Sequence, residues 1–320
     1  MRNDKTTKGK TASAPIVPGS RGYVRKRLRE SWQWYLLLLP ALIYILIFNY
    51  GPMYGILMAF QNYRPSKGIA GSPWVGFDNF IRFFKYPYFW KMIRNTLSIT
   101  LLSLATFPCA IIFALFLNEL THVKFKKVAQ MVSYMPHFLS EVVVVSLVML
   151  MLDLSNGPVN NLIAALGGER TYFMGEPSAF APIYVFSGLW QNLGWGTILY
   201  ISALSSVPSE QIEAAKIDGA SRFQVMWHIN IPAILPTIMI TLLMRMGRIM
   251  SLGYTKILLM DNDLVADVSN VISTYTYKVG ILGGQYSYST AIGLFNNIIN
   301  IILLLSFNRL SKKLTDISLF

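Results

Sequence analysis

Six stretches of this chain are apolar enough to lie in a bilayer, and they leave few choices of fold. They cover about 34–60, 97–117, 128–152, 183–204, 234–260 and 288–307. A helix rises 1.5 Å per residue, so about 20 residues cross a hydrocarbon core of about 30 Å. Backbone at that depth has no water to bond to, and a helix satisfies its own N–H and C=O groups. The chain therefore reads as an all-α membrane protein with six transmembrane helices. Its composition agrees, because 53% apolar and 13% charged residues are out of range for a soluble domain of 320 residues.

The net charge of +13 would suggest nucleic acid if it sat on one soluble surface. Instead the basic residues gather where spans end. Arg2, Lys5, Lys8, Lys10, Arg21, Arg25, Lys26, Arg27 and Arg29 precede the first span, and Arg309, Lys312 and Lys313 follow the last. Both termini then lie in the cytoplasm under the positive-inside rule, and no nucleic-acid partner is expected. Residues 1–33 read as a flexible basic arm whose Arg25–Arg29 run anchors topology at the lipid surface. Residues 34–92 hold the first span and an external aromatic-rich segment, read as a headgroup-level belt; 93–308 form the transmembrane core; 309–320 are a cytoplasmic tail. No small-residue cleavage site follows the first apolar stretch, so the chain is expected to keep it. Cys109 stands alone inside a span, which leaves no disulfide and no cysteine metal site to argue.

Between the fourth and fifth spans lies a polar loop, 206–232, reading SVPSEQIEAAKIDGASRFQVMWHINIP. Pro208 suits the first position of a helix, and Glu210 falls near its positive end, so a helix over about 208–218 is expected. Gly219 supplies the turn. Ser221 with Gln224 three residues later fits a capping box for a second helix, ending before Pro232.

That loop carries a resemblance. Glu213-Ala214-Ala215, three residues, Gly219, nine residues, then Ile229-Asn230-Ile231-Pro232 resembles the EAA loop of permease subunits in binding-protein-dependent bacterial ABC importers. Weaker matches, Trp74-Val75-Gly76-Phe77-Asp78-Asn79-Phe80, Tyr134-Met135-Pro136-His137-Phe138, Gly157-Pro158-Val159-Asn160 and the run 280–287, look like the branch serving oligosaccharides and polysaccharide fragments. The resemblance implies the type I permease fold in the cytoplasmic membrane, with Glu213, Ala214, Ala215, Asp218 and Gly219 as ATPase-coupling residues. It also implies partners: a second homologous permease subunit, an ATPase dimer holding ATP and Mg, an extracellular or periplasmic solute-binding protein, and an oligosaccharide. No cofactor is expected on this chain itself.

The residues agree that energy comes from elsewhere. No G-x-x-x-x-G-K-[ST] loop, H-E-x-x-H or G-x-S-x-G occurs, so no catalytic residue is assigned. Ionisable groups at membrane depth cost roughly 2.5 kcal/mol or more and should face protein or water. Glu141, Arg245 and Arg248 are such groups, and they either hold acidic or hydroxyl-rich substrate or form an interhelical ion pair. Asn192, with Trp190, Gln191, Trp195 and Tyr200, suits stacking and hydrogen bonding on a sugar ring, as it suits helix packing. Asn296, Asn297 and Asn300 make a polar stripe on the last span, open to the same two readings. His137 and Glu141, four apart, are expected on one helix face, but zinc sites need three or four convergent ligands, so no metal is expected. Two other classes stay open: an ion-coupled secondary transporter of a polar solute, and a membrane-embedded enzyme, which lacks a visible constellation of reactive groups.

Overall fold

Prolines and glycines decide which apolar runs stay helical and which break. The structure, a computed structural model, describes residues 31–319; the basic arm through residue 30, with its Arg25–Arg29 run, lies outside the described residues. The chain divides into two units, Met1–Ile56 and Leu57–Phe320.

In the first unit, helix α1 (Trp32–Ile45) runs into a π-turn, Leu46–Tyr50, and on through Gly51–Met53. Asn49-Tyr50-Gly51-Pro52, a run that reads as an interruption of the first span, is thereby absorbed into helix. A wide π-turn accommodates a proline whose missing N–H cannot continue the ordinary ladder. Helical turns reach Phe60, and no residue of the apolar window is buried.

The second unit opens with α2 (Asp78–Phe84), followed by α3 (Phe89–Ala105) and α4 (Phe107–Glu119). Together α3 and α4 form one 31-residue span, Phe89–Glu119. It begins earlier than the sequence suggests and takes Lys91 and Arg94 into its first turns, with Lys91 paired to Asp267 at 2.6 Å. The external aromatic belt is correspondingly smaller. Phe83 and Phe89 are core residues at 1% and 6% exposure, packed edge to face on one another, whereas Trp74, Phe77, Phe84, Tyr88 and Trp90 remain exposed.

The third expected span is not one helix. α5 (Val123–Tyr134) leads into a 3-10 turn, Met135–Phe138, and α6 (Glu141–Met151) leaves at 103° to that arm. α7 (Pro177–Leu204) follows, then the loop helices α8 (Ser209–Ile217) and α9 (Arg222–Val225). α9 passes through a π-turn, Met226–Asn230, into α10 (Ile231–Met246). The fifth span ends there, and after a non-helical break α11 (Tyr254–Met260) begins. The last long helix is α12 (Tyr286–Thr315).

All described structure is helix, turn or loop, apart from one isolated bridge, Gln61–Trp74. Four helices are long and apolar enough to cross a membrane, and the bent pair α5/α6 makes a fifth if counted as one span. α7 is where the expected count of six falls short. At 28 residues, about 42 Å, it has the length, but its amides, glycines and hydroxyls keep it below the required apolarity. α7 is also the hub, packing against α3, α4, α5 and α10. Gly194 permits this: a Cβ there would lie 2.2 Å from the Ser133 carbonyl oxygen on α5.

Candidate functional site

The polarity of α7 has a destination. A cavity of ≈ 600 Å³ is lined from α3, α4, α6, α7, α10 and α11, within the range of about 300–1,000 Å³ usual for small-ligand sites. Ser103, Thr106 and Phe107 contribute from the α3–α4 junction, Glu141 from α6, and Tyr184, Asn192, Trp195 and Tyr200 from α7. Thr241 and Arg245 line it from α10, and Lys256 from α11. Three sequence-selected residues, Glu141, Asn192 and Arg245, therefore share one space.

Glu141 reaches it because the chain breaks. Pro136 sits in the first turn of the 3-10 segment, Ser140 is extended at ψ 154°, and its Oγ accepts from Val143 N at 3.4 Å. This N-cap restarts the helix with Glu141 at its positive end. His137 and Glu141 consequently do not share a helix face. His137 Nδ1 lies 2.9 Å from Asn192 Oδ1, and its ring stacks on Trp195 at 4.4 Å and 6°. Gln191 Nε2 donates to the Leu139 carbonyl at 2.9 Å. Gln191 thus satisfies a carbonyl that the break exposes, and Asn192 holds the His137 ring beside it.

Arg245 does not pair with Glu141. Its Nη2 donates to the Ser103 carbonyl and to Ser103 Oγ at 2.6 and 2.9 Å, with the guanidinium 5.8 Å from the Phe107 ring centre. Among the described residues the ion pairs are Lys91–Asp267 and Lys278–Asp261, and neither Arg245 nor Arg248 forms one with Glu141. Arg248 is exposed and lines a smaller adjoining cavity of ≈ 170 Å³, which shares Ser103 and Arg245 with the first.

The asparagine stripe is not brought to the main cavity. Asn300 is buried, accepting from Met250 N at 2.9 Å and donating to Ser251 Oγ at 2.9 Å. It holds the break between α10 and α11. Asn296 is half-buried and its Oδ1 has no hydrogen-bond partner among the described residues, while Asn297 is exposed.

Lys256 was missed by sequence reasoning, which took 234–260 as one continuous span and weighed only its arginines. Gly247, Ser251 and Gly253 were the signal that this span breaks and that the cation after them lines an opening. Lys256 is 5% exposed, and its Nζ donates to the Tyr184 carbonyl at 3.0 Å.

The polar loop follows its local rules closely. α8 starts one residue after Pro208, which is its N-cap; Gly219 has φ +81°; and the Ser221–Gln224 capping box is closed in both directions, at 2.7 and 3.4 Å. The second loop helix does not end before Pro232. Pro232 sits in the first turn of α10, where its missing N–H falls beside the π-turn, so helix continues from Arg222 to Met246. Glu213, Ala214, Asp218 and Gly219 are exposed and Ala215 is half-buried. Beside them Ile217, Phe223 and Trp227 are 86%, 72% and 70% exposed.

Residues 106–316, which contain both cavity and loop, match the family of binding-protein-dependent transport system inner membrane components. The chain belongs to that family. It is 43% identical over 314 residues to Protein LplB of Bacillus subtilis (strain 168), covering 97% of this chain and 98% of that one. It is 44% identical over 280 residues to the polygalacturonan/rhamnogalacturonan transport system permease protein YteP of the same organism, covering 87% of each. Among solved structures it is similar to a chain of a bacterial ABC transporter involved in the import of the acidic polysaccharide alginate. That likeness has a TM-score of 0.83 at 37% identity, over 92% of this chain and 99% of the other.

Proposed function

We propose that this chain is the transmembrane subunit of an ATP-driven importer, moving oligosaccharides or polysaccharide fragments across the cytoplasmic membrane. One observation carries the reading. A single helix, Arg222–Met246, has the capping box of the exposed loop at one end and cavity-lining Arg245 near the other. At 1.5 Å per residue that lever is about 36 Å long. As one continuous helix it would carry a displacement of the loop to the cavity wall, through the π-turn at Met226–Asn230 and past Pro236.

The cavity suits a saccharide. Sugars present hydroxyls around apolar ring faces, and here Trp195, Tyr184 and Tyr200 supply flat surfaces while Asn192, Thr241 and the ionised groups supply hydrogen-bond partners. Relatives named for polygalacturonan/rhamnogalacturonan transport and for alginate import support the same class. The exposed trio Ile217, Phe223 and Trp227 beside the coupling residues is the kind of apolar patch that marks a partner surface, and an ATPase dimer fits it. ATP and Mg then belong to those partners, the chain is non-catalytic, and both termini share the cytoplasm with the loop. A second, homologous permease subunit and an external solute-binding protein complete the assembly; a similar chain belongs to a bacterial alginate ABC transporter solved in complex with an alginate pentasaccharide-bound periplasmic protein.

Affinity purification of the tagged chain from native membranes, followed by uptake in proteoliposomes, tests this. A second permease and an ATPase are expected as stoichiometric companions, with oligosaccharide uptake that stops when ATP is withheld. A chain that purifies alone and transports on an ion gradient would belong to a secondary transporter.

A further inference from the structure

The ammonium of Lys256 has more hydrogen-bonding capacity than the protein uses. An ammonium carries three donors, and among the described residues Lys256 Nζ has one acceptor, the Tyr184 carbonyl at 3.0 Å, with the Tyr184 ring centre 5.0 Å away. A neutral amide could make that bond equally well, so the charge is surplus to the structural role. It is also expensive to keep at membrane depth. Its stem is buried, and its head borders the cavity opposite Gly188, where an added Cβ would come within 3.3 Å of it. Among the described residues it forms no ion pair, although the Glu141 carboxylate lines the same space and attracts it from there. The cavity wall therefore holds two cations, Arg245 and Lys256, against one carboxylate. Arg245 already spends one nitrogen on Ser103. Lys256 is the cation with donors left over.

We infer that Lys256 is a specificity-determining residue of this importer, receiving the carboxylate of an acidic sugar residue as the chain of sugars passes through the cavity. The inference rests on the saccharide reading above and adds to it the charge class and the residue that reads it. Hydroxyls and aromatic faces take any sugar ring. A compact, strongly hydrated point charge gains most from a carboxylate, which replaces the water it gives up.

The test uses the assembled complex in proteoliposomes with its loaded binding protein, comparing uptake of tetragalacturonate with its fully methyl-esterified form. The two differ in charge and scarcely in shape. Lys256→Met should lower uptake of the free acid about tenfold, the scale of one charge-assisted hydrogen bond, and lower uptake of the ester by a much smaller factor. Lys256→Arg should restore most of the loss. Co-purification of the companion subunits with each variant separates recognition from misfolding. Equal loss on both substrates would make Lys256 a structural pin, and no loss on either would make it a bystander; both overturn this inference and leave the importer standing. A wild-type complex that moves maltotetraose but neither galacturonate form overturns this inference alone; one that moves no oligosaccharide overturns the saccharide reading, and this inference with it.

Discussion

The polar loop between the fourth and fifth spans and the cavity are built on opposite terms. The loop, 209–230, is polar, largely exposed, and held by contacts between near neighbours in sequence: Ser221 with Gln224, and Gly219 N–H to the Lys216 carbonyl at 3.1 Å. The cavity is assembled from residues between 103 and 256, and two of its walls begin where an apolar run breaks. In the proposed role the exposed loop is pushed from outside the membrane and must keep its own shape, so local contacts suit it. A cavity that admits a polar solute needs groups a bilayer would reject, so it gathers them where helices stop and backbone donors and acceptors become available. Local rules therefore account for the loop, and tertiary contacts account for the cavity.

That contrast fails first if the tertiary contacts prove dispensable. Gly194→Ala puts a Cβ 2.2 Å from the Ser133 carbonyl oxygen, where neither backbone can yield without separating α5 from α7. Overpacking costs typically 1–3 kcal/mol and occasionally more, and a clash with backbone belongs at the upper end. Thermal unfolding in detergent should drop by several degrees or the protein should fail to accumulate. Gly196→Ala is the control, because its Cβ would meet only Ala110 Cβ at 3.3 Å and should cost under about 1 kcal/mol.

The next effect falls on the loop and should spare the spans. Gly219 has φ +81°, and proline holds φ near −65° and lacks the N–H that bonds Lys216. Gly219→Pro should therefore abolish ATP-driven uptake and release the ATPase on purification, while the unfolding temperature of the membrane core stays put. Gly219→Ala separates turn from contact. Nothing lies within 4 Å of its Cβ, so the cost is the left-handed backbone alone, about 1–2 kcal/mol. Normal coupling in Gly219→Pro would remove the lever from the mechanism.

Asn300→Leu probes the break itself. It leaves Met250 N without its buried acceptor and Ser251 Oγ without its donor. An orphaned buried donor costs about 1–3 kcal/mol. Stability should fall by that amount, and uptake should fall further than stability explains, because α11 carries Lys256 into the cavity.

These expectations also explain what was legible in the amino-acid sequence. Gly219, Ser221 and Gln224 act within a few residues, so the turn and the start of the second loop helix could be read by position, whereas the end of that helix could not, because Pro232 falls in the first turn of α10. The limits of the spans could not. His137 and Glu141 are four apart, which on one helix means one face, yet Pro136 and Ser140 interrupt that helix between them. The apolar run 142–151 outweighed two local stop signals, although both were present. Lys256 was hidden by the same habit, since a run from 234 to 260 averages as apolar even though Gly247 and Gly253 divide it. Asn300 read as a candidate sugar ligand because it lies on a span with two other asparagines, and its partners at 250 and 251 are set by tertiary contact. A polar residue at membrane depth announces a partner without saying whether the partner is solute or backbone.

The smallest effect makes the finest cut. Ser221→Ala removes the side chain that accepts from Gln224 N, and loss of an N-cap costs about 1 kcal/mol. If the Arg222–Met246 helix is one rigid lever, that loss should stay at its first turn, because the remaining helix is held by its own ladder and by packing of Ile234 and Leu243. Hydrogen exchange should then quicken at residues 222–225 and stay slow from 231 onward, with uptake reduced by less than about threefold. Exchange that quickens through the π-turn at 226–230 and into α10 would show a jointed lever, and motion of the loop would then have to reach Arg245 by some route other than this helix.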